Sequence, residues 1–262
     1  MKILFYQIDA FTDRVFGGNP AAVCPLNEWL PDGIMQKIAF EFNQAETAFF
    51  VKSESGYEIR WFMPNDEIDL CGHATLASAY TIFNYLDHPS HEITFSSQSG
   101  PLKAVMQKEG MISLDFPSRP PEPIAVPEEI LAAFKQAPLT AAAARDLILL
   151  FENEKQILDA DPKLDLLKAL PYLGVAVTAR GEEVDFVSRV FDANCPIPED
   201  PVTGSTHASL VPFWAEKLGK TDFHARQLSA RGGDLFCRLQ GERVIISGHA
   251  VPFMKGEINI DF

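Results

Sequence analysis

The stretch "DLCGHATLASAY", Asp69 to Tyr80, sets a thiol and an imidazole two positions apart at the mouth of an almost wholly apolar run. Three chemistries use such a start. A cysteine beside a histidine is a minimal nucleophile and base. Asp69, Cys71 and His73 are all metal-ligating types. A glycine-led helix start offers backbone N–H groups that lack partners inside the helix, at the positive end of its dipole, and so can hold an anion. Side chains at i and i+2 of a helix do not face each other, which counts against the nucleophile–base pair. No second ligand cluster accompanies 69–73, so no metal is expected. The third chemistry stands: Gly72 lets a ligand come close to the backbone, and His73 forms a polar wall beside it.

A second start of the same kind lies in "EDPVTGSTHASL", led by Gly204. Ser205 and Thr206 offer hydroxyls there, either to a ligand or as caps of the helix. Asn19 in "GGNP" either reaches a site or serves its turn. The other histidines are scattered and suggest no ligand set.

The elements that must position these residues follow from periodicity. "ILFYQIDAF", "AAVC", "TAFFV" and "YEIRWFM" have the composition of strands. Residues 34–43 carry apolar side chains at helical spacing. Residues 72–86 are apolar nearly all round, which predicts a helix buried on every side. Three strands follow, and then a proline-rich stretch at 117–127 that reads as a linker. After it the order repeats: strands in "DLILLF" and "KQILDA", a short helix in "KLDLLKAL", strands in "LGVAVTA" and "VDFVSRVF", a polar loop, and a helix over 204–218. Arg60 and Arg189 in the strands, and Gly72 and Gly204 at the helix starts, each lie about 130 positions apart. Pro212 inside the second helix speaks against the overlay, because it should kink that helix.

The expected fold is therefore α+β, with two pseudo-symmetric domains at 1–118 and 119–262. Each is a curved, mostly antiparallel sheet around one apolar helix. The final strand stays with the second domain or crosses back to the first. A pseudo-twofold packing would aim both helix starts at one interdomain cleft.

Bulk properties narrow the classes. The 262 residues carry 22 Lys and Arg against 36 Asp and Glu, a formal charge of −14. So acidic a surface disfavours nucleic acid and anionic membrane as partners. The four cysteines include no CxxC pair, which argues for buried thiols in a reducing compartment. The first residues read as a strand rather than a signal peptide, and no run is long enough to span a bilayer. The expected location is the cytoplasm.

"DAFTDRVFGGNPAAV", "NQAETAFF", "LCGHATLASAY", "EDPVTGSTHA" and "QLSARGG" together resemble the PhzF-like family of the diaminopimelate epimerase-like fold. The resemblance spans Asp9 to Gly233. It implies barrel-like domains around central helices, a site between them, and neither cofactor nor metal. It also implies a homodimer. Its phenazine-biosynthesis member is an isomerase that relocates a proton with one glutamate, and that residue falls on Glu46. The family's histidine falls on His73, its aspartate on Asp200 and its serine on Ser205. Asn19, Gly72, Gly204, Ser205 and Thr206 are then the expected substrate-binding set, for a small anionic metabolite.

Related racemases and epimerases lead each helix with a cysteine. Here the first position is Cys71 but the second is Thr203, whose hydroxyl is no base near neutral pH. Shifting Glu46 by the repeat spacing lands near Val175, where no carboxylate lies. A site with one carboxylate suits a single-base proton shuttle, whose pKa burial should raise toward neutrality. Two other readings remain open: a racemase working through Cys71, and a non-catalytic binder of small ligands. Asp200 is expected to pair with His73 across the cleft and hold it protonated.

Overall fold

The computed structural model describes residues 1–195 and 197–260. The chain forms two compact units: unit 1 holds residues 1–115 and those from 247 on, and unit 2 holds residues 116–246. In chain order the elements are β1 (Lys2–Ala10), β2 (Asn19–Leu26), α1 (Asp32–Phe42), β3 (Thr47–Ser53), β4 (Gly56–Phe62), β5 (Glu67–Ile68), α2 (Gly72–Tyr85), β6 (Glu92–Ser97), β7 (Gly100–Met106) and β8 (Ile112–Pro117). Next come β9 (Glu122–Ile124), α3 (Glu128–Ala133), β10 (Thr140–Ala143), β11 (Leu147–Leu150), α4 (Glu154–Leu158), α5 (Leu164–Leu167), β12 (Val175–Arg180) and β13 (Phe186–Phe191). The chain closes with β14 (Glu199–Asp200), α6 (Gly204–Leu218), β15 (Asp222–Gln227), β16 (Gly233–Gln240), β17 (Arg243–Gly248) and β18 (Ala250–Asn259).

The two units share one wiring. In unit 1, β1–β2, β3–β4, β4–β5 and β6–β7 are antiparallel, while β2–β3 and β4–β6 are parallel. In unit 2, β10–β11, β12–β13, β13–β14 and β15–β16 are antiparallel, while β11–β12 and β13–β15 are parallel. The arginines that mark the repeat make the same clamp in each. Arg60 on β4 grips Glu67 of β5 with Nε at 2.7 Å and Nη2 at 2.6 Å, and lies over the Phe62 ring. Arg189 on β13 grips Glu199 of β14 at 2.7 and 3.0 Å, and lies over Phe191. A two-point guanidinium–carboxylate pair fixes orientation as well as distance, so each clamp sets the short strand from which its helix departs.

Helix α2 is buried from Gly72 through Ala79. Its hydroxyls are satisfied inside the helix: Thr75, Ser78 and Thr81 donate to the carbonyls of Cys71, Ala74 and Ala77. That lets a helix with no polar face sit in an apolar setting. In unit 2, α6 packs Trp214 flat on Phe186 with ring centres 5.5 Å apart, and Trp214 Nε1 donates to Thr178 Oγ1.

Helix α6 runs from Gly204 to Leu218 with Pro212 inside it. The Ala208 carbonyl, which Pro212 cannot serve, accepts instead from the Arg119 N–H at 2.9 Å. Residues 155–158 are helix rather than strand, because Asn153 caps α4 by accepting from the Gln156 N–H at 3.0 Å. The 117–127 stretch is not a bare linker, since β9 pairs with β10. Of the two paths open to the final strand, the chain takes the one that crosses back: β18 pairs with β1 from Lys2↔Asn259 to Ala10↔Ala250, and so belongs to unit 1. Among the described residues, no helix is long and apolar enough to cross a membrane.

Candidate active site

Strands β2 and β3 run parallel with Ala22 opposite Thr47, so Asn19 and Glu46 lie at the same end of the sheet. The N-terminus of α2 reaches that end too. The turn before Asn19 is forced by its glycines and by a buried carboxylate. Gly18 has φ of 61°, and a Cβ there would lie 2.1 Å from the Ala10 carbonyl oxygen. Asp9, almost wholly buried, accepts the Phe16 N–H at 2.9 Å and pins the loop.

Three side chains converge around one imidazole. Asn19 Nδ2 lies 3.1 Å from His73 Nδ1, Cys71 Sγ lies 3.5 Å from the same nitrogen, and Glu46 Oε2 lies 3.3 Å from Nε2. An amide nitrogen can only donate, so Nδ1 accepts and the ring proton sits on Nε2, toward Glu46. Burial lowers the His73 pKa to about 3. The ring is therefore neutral near pH 7 rather than protonated as expected, and its contact with Glu46 is not a salt bridge. The contact is close without being aligned as a hydrogen bond. His73 is all but buried, whereas 16% of the Glu46 side chain is exposed. Glu46 is thus the member of the set with access to solvent.

Cys71 is not a bystander, and the spacing argument against its meeting His73 fails. That argument holds inside a helix. Cys71 is the N-cap residue, with φ −136° and ψ 119°, so its extended backbone turns the thiol back onto the ring. Asp69 is elsewhere, accepting from Ser99 Oγ at 2.8 Å. The three metal-capable groups that do converge are Glu46, Cys71 and His73, with ligand atoms all within 4.8 Å of one another.

At the start of α6, neither Ser205 nor Thr206 is the cap. Thr203 holds that position, and no side chain caps the helix there or at α2. Thr206 Oγ1 donates to Asp146, a buried carboxylate, at 2.8 Å. Ser205 Oγ accepts from Arg145 Nη2 at 2.8 Å, and Arg145 also reaches Asp146 at 3.4 Å. Having accepted, the Ser205 hydroxyl keeps its own proton to donate. Gln227 bonds the Thr203 N–H, the Thr203 hydroxyl and the Asp200 carbonyl, tying β14 to the helix start. Asp200 and Gly204 flank that knot.

Arg145 and Asp146 were not singled out from the sequence. They lie in a plain hairpin turn between β10 and β11. The repeat was the signal that could have found them. Ser205 occupies in α6 the place of His73 in α2, and the 144–146 turn matches the turn that leads into Asn19. Each unit therefore holds the second residue of its helix with a donor from its first hairpin. The correspondence is unequal elsewhere. Val175 opposes Phe191 as Thr47 opposes Phe62, so Glu46 maps onto Gly174.

The sequence profile described as "Phenazine biosynthesis-like protein" (PhzC-PhzF) matches residues 8–256. An uncharacterized isomerase of Pseudomonas aeruginosa is 46% identical over 260 residues, covering 99% of this chain and 100% of that protein. The crystal structure of a PhzF-family phenazine biosynthesis protein from Enterococcus faecalis superposes with a TM-score of 0.96 at 47% identity, over 99% of this chain and 100% of that one. A hydroxyproline epimerase from Agrobacterium vitis shares the fold at 12% identity, with a TM-score of 0.66 over 98% of this chain and 92% of that one. With a profile match over nearly its whole length and relatives of this identity, the chain belongs to the phenazine biosynthesis-like PhzC-PhzF family.

Proposed function

We propose that the chain is an isomerase that moves a proton between two atoms of a small carboxylate-bearing metabolite, with Glu46 as the single proton carrier. The observation behind it is the Glu46–His73–Asn19 line: a carboxylate 3.3 Å from Nε2 of a neutral imidazole whose other nitrogen accepts from Asn19. The ionised carboxylate takes a proton from a substrate carbon and becomes a carboxylic acid. The electron pair left behind is delocalised into the neighbouring unsaturated group. The same proton is then delivered to a second atom, and Glu46 is a carboxylate again. His73 donates from Nε2 to the oxygen that carries charge at each stage. The uncapped start of α2 at Gly72 supplies N–H donors for the substrate carboxylate. In unit 2, Gly204 and Ser205 offer the corresponding donors at the start of α6, with Asp200 on the short strand before it.

That relatives are named isomerases supports the reaction class. The test is a screen of small unsaturated carboxylates in deuterated water, read by solvent exchange. Glu46→Gln should lower the exchange rate by roughly 10²–10⁴-fold, the usual worth of a general acid–base group. Full turnover in that variant overturns the reading.

The contact of Cys71 with His73 favours a second reading, in which the thiolate is the base of a racemase. Cys71→Ala separates the two. It spares the glutamate shuttle, and it abolishes exchange at a stereocentre if the thiol is the base.

A further inference from the structure

We propose that Glu46, Cys71 and His73 capture one divalent cation of the zinc class, and that this capture switches the site off. Among the described residues, theirs is the group of three metal-capable side chains whose ligand atoms draw together, within 4.8 Å. Thiolate and imidazole select zinc, cadmium or cobalt over magnesium and calcium, which want oxygen ligands. Sγ of Cys71 and Nδ1 of His73 lie 3.5 Å apart. With bonds of about 2.3 Å to sulfur and about 2.05 Å to nitrogen, that separation subtends about 107° at the metal, close to tetrahedral.

Charge also balances. One thiolate and one carboxylate cancel a dication, so the buried cluster is left with no net charge. Only the thiolate ligates, so binding releases the thiol proton. A water would complete four-coordination.

The short contacts of Cys71 and Glu46 fall on opposite ring nitrogens. A metal on Nδ1 must displace the Asn19 amide, and Glu46 must swing across to join it. Glu46 is suited to that move because it is long and partly exposed. The metal-bound arrangement thus removes the proton carrier, while the ring proton stays on Nε2 because the metal takes the Nδ1 lone pair. The switching half of this proposal rests on the isomerase reading above; the binding half does not.

The experiment titrates the whole protein with zinc against a chromophoric chelator, and with cobalt while recording the near-ultraviolet thiolate-to-cobalt band. One equivalent should bind with that band. Cys71→Ala should abolish the band, and Cys71→Ala and His73→Gln should each weaken zinc by more than the roughly 10–100-fold typical of losing a mere outer-shell partner. Cys195→Ala should change neither. A missing band, or a band that survives in Cys71→Ala, overturns the proposal. Solvent exchange is measured in parallel on any substrate found in the screen. Exchange that persists at saturating zinc overturns the switch. A chain that binds zinc as described but exchanges no substrate proton overturns the isomerase reading and leaves the cation site standing.

Discussion

The direction of one hydrogen bond decides what His73 can do. Because Asn19 donates to Nδ1, Nε2 keeps the proton and faces Glu46. Asn19→Asp reverses this at nearly constant volume, since a carboxylate can only accept. Nδ1 must then carry a proton, and Nε2 either becomes a lone pair or belongs to a charged ring. The expected result is a fall in solvent exchange on the order of 10²-fold or more with the fold retained. Nitrogen NMR of the ring should show protonation moved to Nδ1. A variant with normal exchange would remove Asn19 from the mechanism. Glu46, His73 and Asn19 were all legible in the sequence as residues, but their relations were not. The Cys71–His73 contact is not legible, because the helical spacing rule does not reach a residue that precedes the helix. Arg145 has no local signal in its alanine-rich turn, and only the repeat points to it.

Helix α6 shows how an element absorbs what sequence rules forbid. Proline in a helix interior usually costs about 3 kcal/mol. Here the carbonyl it would strand is bonded by Arg119, so Pro212→Ala should gain less than about 1 kcal/mol. Denaturant unfolding checks this, and a gain near the full cost would show that the substitute bond contributes nothing. The same helix carries His207, wholly buried, with Nδ1–H donating to the Thr203 carbonyl at 2.8 Å. Burial lowers its pKa to about 4. The unfolded chain takes up a proton below about pH 6.5 that the folded chain refuses until about pH 4, so stability is lost as pH falls through that window, by up to about 3 kcal/mol. His73 adds a slope of the same sign, reaching lower. His207→Gln should therefore be less stable than the wild type at pH 7, yet lose less melting temperature between pH 7 and pH 4.5. An unchanged acid slope would place the effect elsewhere. Long periodic elements such as α2 and α6 were legible end to end. The five-residue α4 was not, since Ile157 and Leu158 alone cannot tell a helix from a strand and the Asn153 cap decides it.

At the scale of the molecule, the repeat was legible from a pair of arginines and a pair of glycines, because each arginine makes the clamp that sets its helix start. The path of the final strand was not legible. Nothing in "VPFMKGEINI" names a partner, and pairing with β1 is a long-range choice made by register. Unit 1 is consequently discontinuous, and residues 1–115 alone would leave β1 without β18 beside it. That fragment should be poorly folded by circular dichroism and recover order when a peptide of residues 247–260 is supplied. Unit 2, residues 116–246, should fold without such help. A cooperative melt from the 1–115 fragment alone would show that β18 is dispensable.

The return of β18 also fixes a timetable during vectorial synthesis. Unit 2 has all its residues once position 246 has left the ribosome tunnel, whereas unit 1 still waits for the strand that follows. The half that carries Glu46 and His73 is translated first and completed last, so a nascent chain stalled before position 250 would carry those side chains without the strand that closes their sheet.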